Sequence, residues 1–413
     1  MENKAPTRGG DQDSFVVVVG TCDTKRQALE YVRDLIDAAG VNVKLVDVTP
    51  KGSNVEVDVS SKQLKVEAAV AGENILSTSD RGTAITQMAA VLSAWVQRNR
   101  DRICGMIGLG GSGNTALITP AMGVLPIGTP KIMVSTVASG NVAPYVGTND
   151  IAMMYSVVDI AGLNAISRTV LGNAAHMIAG AANRAFPPAG HRERPGIGLS
   201  MFGVTTPCVD RVVSKLKDEF ECFVFHATGT GGQTMEKLAD ERFLVGIVDS
   251  TTTEVADFLM GGVMSAGSDR MGAPIRTGLP YVGSCGAVDM VNFGNIESVP
   301  ERYRDRKLLV HNPQVTLMRT TPDENHRIGA WIAAKLNQMK GEVRFLIPEK
   351  GVSIIDVDGG PFWDPEADEA LFAALEDNII TTARRKLIRL PHAINDPEFA
   401  DALASCLLET ARA

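Results

Sequence analysis

Phe15-Val-Val-Val-Val19 is an apolar run with no polar alternation. A strand of that kind is stable only where helices cover both of its faces, as they do in parallel sheets. The turn Gly20-Thr-Cys-Asp-Thr-Lys25 follows, and then apolar residues recur at Ala28, Leu29, Val32, Leu35, Ile36 and Ala39 before Gly40. That spacing predicts a helix closed by a C-cap glycine. Val43 to Val48 reads as a second strand, and Ile85, Met88, Ala89, Leu92, Trp95 and Val96 mark the buried face of another helix. Strands are expected again at 103–107 and 131–136. Strands and helices in strict alternation predict an α/β fold with an open, doubly wound sheet.

At 413 residues the chain is longer than one core usually serves, so two domains are expected. The segment Ala185-Phe-Pro-Pro-Ala-Gly-His-Arg-Glu-Arg-Pro-Gly196 mixes proline, glycine and charge, as exposed linkers do. The predicted division is a flexible tail over 1–14, a first α/β domain over 15–185, a linker over 186–196 and a second α/β domain over 197–413. The second half restarts with a strand at Gly198 to Phe202, a helix on Val209, Val212, Val213 and Leu216, and a strand at Cys222 to Phe225. Further strands are expected at 244–248, 307–311, 343–347 and 386–390. Two Rossmann-like domains are thus predicted. They are either structural repeats or two βαβ units alike by chance.

A formal net charge of −8 sets the average surface field against phosphate backbones and anionic lipid, which disfavours nucleic-acid and membrane partners. Ile151 to Ala182 is the most apolar long stretch, but Asp159, Arg168 and His176 interrupt it, and residues 1–14 lack the apolar core of a signal peptide. Six scattered cysteines without a CxxC pair read as reduced thiols, so a cytoplasmic protein is expected.

Gly108-Leu-Gly-Gly-Ser-Gly113-Asn-Thr115 follows a predicted strand and precedes a predicted helix. Gly108, Gly110 and Gly113 satisfy G-x-G-x-x-G, and 108–115 also has the Walker spacing except that Asn114 replaces lysine. Backbone amides at such a helix start converge on an anion. No acidic residue ends the next strand to hold a ribose, which argues against NAD, and the missing lysine argues against phosphoryl transfer. The expected phosphate cradle is Gly110, Gly111, Ser112, Gly113, Asn114 and Thr115. Thr21, Asp23, Thr24 and Lys25 are expected beside it, because ligands of open sheets gather where strands end, and Arg81 is a further candidate phosphate contact. A packing turn and a plain helix cap are the simpler readings of these segments.

The second half places polar clusters after predicted strands. His226, Cys285, His311 and Glu254 are candidate catalytic residues, and Gly229, Gly231, Gly232, Asp249, Thr252, Ser284 and Arg319 are candidate substrate contacts. Cys285 is a nucleophile only if a histidine reaches it and lowers its pKa. Thr251-x-x-Glu254 and Thr321-Pro-Asp-Glu324 also fit capping boxes, and Asp396-Pro397 fits an N-cap with proline at N1. No pair of histidines has a zinc-like spacing, so no metal site is assigned.

Gly20-Thr-Cys-Asp-Thr-Lys25, Gly108-Leu-Gly-Gly-Ser-Gly-Asn-Thr115, His226-Ala-Thr-Gly-Thr-Gly-Gly232, Asp249-Ser-Thr-Thr-Thr-Glu254 and Ser284-Cys-Gly-Ala-Val-Asp-Met-Val-Asn-Phe293 together resemble the uncharacterised proteins grouped with the plant tomato mosaic virus resistance protein, an ATP-binding family. The resemblance spans nearly the whole chain. It implies a two-domain α/β body, ATP held mainly by the first half, and a homodimer; it names no reaction. Asn114 stands where many relatives are expected to carry a small residue.

These observations predict an ATP-binding protein, with Mg²⁺ accompanying the nucleotide, that acts on a small metabolite in a cleft between the domains. The alternative is a regulatory or interaction module in which ATP is a structural or sensing ligand. A nucleotide-independent Cys/His hydrolase is a third reading.

Overall fold

The structure is a computed structural model that describes residues 13–70, 80–183 and 194–411. The chain divides into two compact units at His191/Arg192. The tail over 1–12, most of the predicted linker, and Ser77 to Ser79 of the Arg81 segment lie outside the described residues.

The first unit runs β1 (Phe15–Gly20), α1 (Cys22–Ala38), β2 (Val43–Asp47), α2 (Ser61–Val70), α3 (Arg81–Asn99), β3 (Ile103–Gly110), α4 (Ser112–Met122), β4 (Lys131–Ser135), α5 (Ala143–Val146), β5 (Ala152–Tyr155) and α6 (Ala165–Asn183). Its five strands are all parallel in the order β2-β1-β3-β4-β5. Every residue of β1 and β3 is buried, which is why neither strand alternates. Val17 and Val19 join one core beneath α3 and α4, whereas Val16 and Val18 join the other beneath α1 and α6. Strand β5 was not legible inside the apolar stretch 151–182. Its four residues are half-buried or exposed at the sheet edge, and they carry no buried-strand signal.

The second unit runs β6 (Gly196–Met201), α7 (Thr206–Leu216), β7 (Glu221–His226), α8 (Thr230–Asp240), β8 (Gly246–Thr251), α9 (Thr253–Met260), α10 (Gly272–Thr277), β9 (Tyr281–Gly286), β10 (Met290–Phe293), β11 (Leu308–Asn312), β12 (Val315–Arg319), α11 (Pro322–Gln338), β13 (Val343–Pro348), α12 (Pro365–Asn378), β14 (Arg385–Leu390) and α13 (Pro397–Thr410). Six parallel strands lie in the order β7-β6-β8-β9-β13-β14. Strands β10, β12 and β11 form a separate antiparallel sheet, so the strand expected at 307–311 belongs to an insertion and not to the main sheet.

With that insertion set aside, both units wind their strands second-first-third-fourth-fifth, and the second adds a sixth. The fold is therefore α/β, two Rossmann-like units whose main sheets are parallel and flanked by helices. In this winding the crevice between the ends of the first and third strands is where open sheets hold ligands.

Candidate functional site

In the first unit that crevice lies between the ends of β1 and β3, and a cavity of about 800 Å³ opens there. Three loops supply most of its wall: Thr21, Asp23, Thr24 and Lys25 after β1; Thr49, Pro50 and Lys51 after β2; and Gly111, Ser112, Gly113 and Asn114 after β3. Asp80, Arg81, Ala84 and Ile85 close one side from α3, and Asp159, Ile160 and Ala161 close another.

The glycine loop is built for its position. A Cβ on Gly110 would sit 2.4 Å from that of Asn114, so only glycine lets the helix turn back so tightly. Asn114 turns away from the phosphate role of a Walker lysine: its Nδ2 donates to Leu109 O at 3.0 Å and to Thr21 Oγ1 at 3.1 Å. It thereby ties the β3–α4 loop to the β1–α1 loop. Thr115 is fully buried, donating to Gly111 O at 2.9 Å and bonded to Ser135 Oγ at 2.6 Å, so its hydroxyl is spent inside the fold and the expectation of a ligand contact there is corrected. Gly110 ends β3 and does not line the cavity.

Helix α4 has no side-chain cap. Among the described residues, the amides of Ser112, Gly113 and Asn114 donate to no protein acceptor, and the first bond of the turn is Thr115 N to Gly111 O. Ser112 is exposed and its two neighbours are half-buried. Three free donors thus face the cavity at the positive end of a helix dipole. The Arg81 guanidinium lies over the same turn, with Nη2 3.9 Å from where a Cβ on Gly113 would be. Lys25 reaches the other wall, where its Nζ donates to Ile160 O at 2.8 Å. It sits at a non-helical residue that breaks α1 after one turn.

Asp47 ends β2 and was missed from sequence. Burial opposes its ionisation, but hydrogen bonds from Thr49, Cys22 and Ser53 outweigh that and hold its carboxyl below the ordinary value. The carboxylate thus pins the β1 and β2 loops together instead of facing a ribose. Thr49, Lys51 and Asp159 were also missed. Each lies in a loop whose approach to the glycine turn depends on strand order, which no local pattern reports.

In the second unit the candidates separate. Glu254 is fully buried. It does not close a box on its own helix, since α9 has no side-chain cap; instead Oε1 accepts from the amides of Gly229 at 2.7 Å and Gly232 at 3.0 Å, at the start of α8. A Cβ on Gly232 would lie 2.1 Å from Glu254 Oε2, so the glycines admit a carboxylate of the protein itself. Arg270, also fully buried, donates to Glu254 Oε2 at 2.7 Å and to both oxygens of Asp249 at 2.7 and 2.6 Å, with Glu236 at 3.3 Å. Tyr281 donates to Asp249 at 2.7 Å. Glu254 and Asp249 are thus members of a closed ion cluster, which corrects their expected catalytic and substrate roles. Burial raises the Glu254 and Glu236 carboxyls against the pull of Arg270.

Cys285 is fully buried in β9, and burial, then the nearby Asp368, push its thiol far up. His226 is exposed at the end of β7 with its ring against Phe202, 5.3 Å between centroids. Strands β8 and β6 separate β9 from β7, which sets Cys285 and His226 about 14 Å apart by sheet spacing alone. His311 is exposed on β11, in the other sheet. Among the described residues no histidine hydrogen-bonds to Cys285, so the expected nucleophile lacks a base. We expect Ellman's reagent to leave Cys285 untouched in the folded protein and to react with it only after denaturation; labelling under native conditions would contradict this burial.

Thr252 donates to Ser284 O at 3.1 Å and both side chains are buried, so neither faces a substrate. Arg319 is buried among Phe362 O, Thr320, Asp356 and Asp368. The Thr321–Glu324 capping box is present, whereas Asp396 turns its carboxylate to Ala393 N and leaves its helix without a side-chain cap. Among the described residues no group of three or more His, Cys, Asp or Glu could hold a metal ion, and no helix is long and apolar enough to cross a membrane.

Residues 14–187 match the N-terminal domain, and 194–411 the C-terminal domain, of the family described as Uncharacterised protein family (UPF0261). A UPF0261 protein of Rhizobium meliloti is 52% identical over 396 residues, covering 96% of this chain and 99% of that protein. The ToMV resistance protein Tm-1(GCR237) of Solanum lycopersicum is 42% identical over 418 residues, 95% of this chain and 55% of the tomato protein. The ToMV susceptible protein tm-1(GCR26) of the same plant is 41% identical over the same span.

Proposed function

Because the chain belongs to the UPF0261 family over both of its units, we propose one site for the family's first domain: the crevice between β1 and β3 binds a nucleotide, ATP, through its phosphates. The observation that carries this reading is the set of three unpaired amides at Ser112, Gly113 and Asn114 under the Arg81 guanidinium. Amides at a helix start and a guanidinium are the donors that recognise phosphate oxygens, and here they converge in a cavity large enough for a nucleotide. Pro50, Ile85, Leu117 and Ile160 give the same cavity apolar wall for a base.

Mg²⁺ fits as a companion of the phosphates. It takes oxygen ligands and is held by one or two carboxylates together with the phosphates themselves, and Asp23 and Asp159 line the cavity. When bound, it would neutralise phosphate charge.

Two features favour a bound, sensed ligand over a turned-over one. The loop has no lysine, and Lys25, the replacement expected from the sequence, spends its ammonium on Ile160 O. Among the described residues that line the cavity there is no histidine or cysteine; of its carboxylates, Asp80 caps α3, and Asp23 and Asp159 are the ones given to Mg²⁺. Virus resistance is not carried over from the tomato relatives: the resistance protein and the susceptible protein resemble this chain equally, at 42% and 41%.

Calorimetry of ligand-free protein with ATP and Mg²⁺ tests the proposal. Saturable binding is expected, and Arg81→Ala is expected to weaken it by about tenfold, the loss of one charge-assisted contact. Absence of saturable heat with unaltered protein would end the nucleotide reading. Binding unaffected by Arg81→Ala would move the phosphates to another part of the cavity.

A further inference from the structure

In the second unit the crevice between the first and third strands of the winding, β6 and β8, is not open. Residues 349–364, between β13 and α12, cross it. Ile354 N donates to Val204 O just beyond β6, and Val352 O accepts from Ala287 N just beyond β9. Beneath them Ser250, Thr251 and Thr205 are buried and bonded to one another and to β6. The crossing segment carries Gly351 and Gly359 at φ +126° and +78°, and Ile354 is left exposed on its outer side.

One side chain adds to these backbone bonds, and to the buried Val352 and Phe362, in holding the segment down. Arg319, at the end of β12, donates through Nε to Phe362 O at 2.7 Å, and through Nη2 to Asp364 O at 3.3 Å and Asp356 Oδ1 at 3.4 Å, all on the segment. It is fixed from behind by Asp368 of α12 at 2.8 Å. Ser353 adds a bond to Asp289 Oδ2 at 2.9 Å, from the turn after β9. The charged and titratable groups that meet here are Arg319 from β12, Asp289, Asp356 from the segment, Asp368 from α12 and the Cys285 thiol from β9. Three carboxyls face one cation, and Asp289 Oδ1 and Asp368 Oδ2 are buried without a hydrogen-bond partner. Such a cluster is stable only while part of it is uncharged.

We propose that residues 349–364 form a releasable strap over the crevice of the second unit, latched by Arg319 and let go when the buried carboxyls around it lose their protons. Loss of those protons leaves two negative charges in excess of Arg319 in a dry site, and hydrating them requires the strap to lift. Burial, then the neighbouring Asp356, raise the Asp289 and Asp368 carboxyls well above the ordinary carboxylate range, so release falls above that range and not at acid pH. Below that range the strap stays shut. The inference does not depend on a nucleotide in the first unit.

Hydrogen–deuterium exchange of the full chain at about pH 6 and about pH 9, normalised to intrinsic rates, tests it. Peptides within 350–363 are expected to lose protection at least about tenfold at the higher pH while β8 and β9 keep theirs. The double replacement Asp289→Asn and Asp368→Asn, which mimics the protonated pair, is expected to keep the strap protected at both. The proposal is overturned if strap protection is independent of pH, if the double variant opens as the native chain does, or if β8 loses protection together with the strap. Should the double variant not fold, by circular dichroism, the difference between strap and β8 in the native chain decides alone.

Discussion

Replacing Arg270 by methionine is expected to lower the stability of the chain in urea by about 3–5 kcal/mol, the cost of stripping the partner from buried charges. The reason is the company Arg270 keeps. Its guanidinium is fully buried and is the cation shared by Asp249, Glu254 and Glu236, from β8, α9 and α8. Methionine fills much of the volume but leaves carboxylates in a dry core, where they must take up protons to remain. Their folded pKa values then stand above the unfolded ones, so the deficit grows as pH rises above the unfolded carboxyl range near 4 and shrinks below it. Denaturation measured across that range checks both magnitude and sign. Arg276 is the control: it pairs with Asp240 and Asp269 with its side chain 45% exposed, and Arg276→Ala should cost no more than about 1 kcal/mol. Equal losses at the two positions would show that the buried cluster is not a cluster in solution.

Gly113→Asp is expected to abolish nucleotide binding, lowering affinity by at least about 100-fold, without weakening the fold; two like charges competing for one seat cost several kcal/mol. The second unit supplies the rationale. There the glycine turn before α8 already holds a carboxylate of the protein, Glu254, on the amides of Gly229 and Gly232. In the first unit the amides at the start of α4, which follows the third strand of its winding and not the second, are open. A Cβ on Gly113 would meet Ile85 Cδ1 at 3.5 Å and Arg81 Nη2 at 3.9 Å, ordinary contacts, so the new side chain is accommodated and its carboxylate faces Arg81 and the helix start. A negative group in a first turn, replacing glycine inside a helix, adds roughly 0.5–1 kcal/mol to stability. Calorimetric titration with ATP and a thermal melt of the same sample read the two effects. Undiminished binding would mean that the phosphates do not use this turn; a lower melting temperature would mean that the substitution acts by damage.

What the sequence made legible was the part written in neighbouring residues. The all-apolar β1, the helix after it and the glycine loop between β3 and α4 are local patterns, and so is the Thr321–Glu324 capping box. The ion cluster is the opposite case. Glu254 carries the signature of a cap for its own helix, and only the arrival of the α8 start and of Arg270 from the 261–271 segment beside it turns it toward Gly229. Arg270 stands in a polar Ser-Asp-Arg stretch that reads as solvated surface, yet it is among the largest fully buried side chains. Its partners are separated from it by 16 to 34 residues. Asp47, Asp159 and Lys51 escaped for the same reason: their meeting point is set by strand order, and β2-β1-β3 cannot be told from other windings by periodicity. Cys285 shows the converse error, since a cysteine in a Ser-Cys-Gly context looks reactive until β9 is placed at the centre of its sheet.

The all-parallel ladders of both large sheets also govern how the chain comes into being. A parallel pair cannot form from a tight turn, so each ladder waits for a whole crossover to be made. Within the second unit the longest wait is that of β9, whose partner β13 is synthesised only after the small antiparallel sheet and α11. Until then the apolar edge of β9 is bare, and a nascent chain stalled or truncated in that interval is the form most exposed to aggregation and most in need of a chaperone. The first unit, complete before any of this begins, can already be folded on the ribosome.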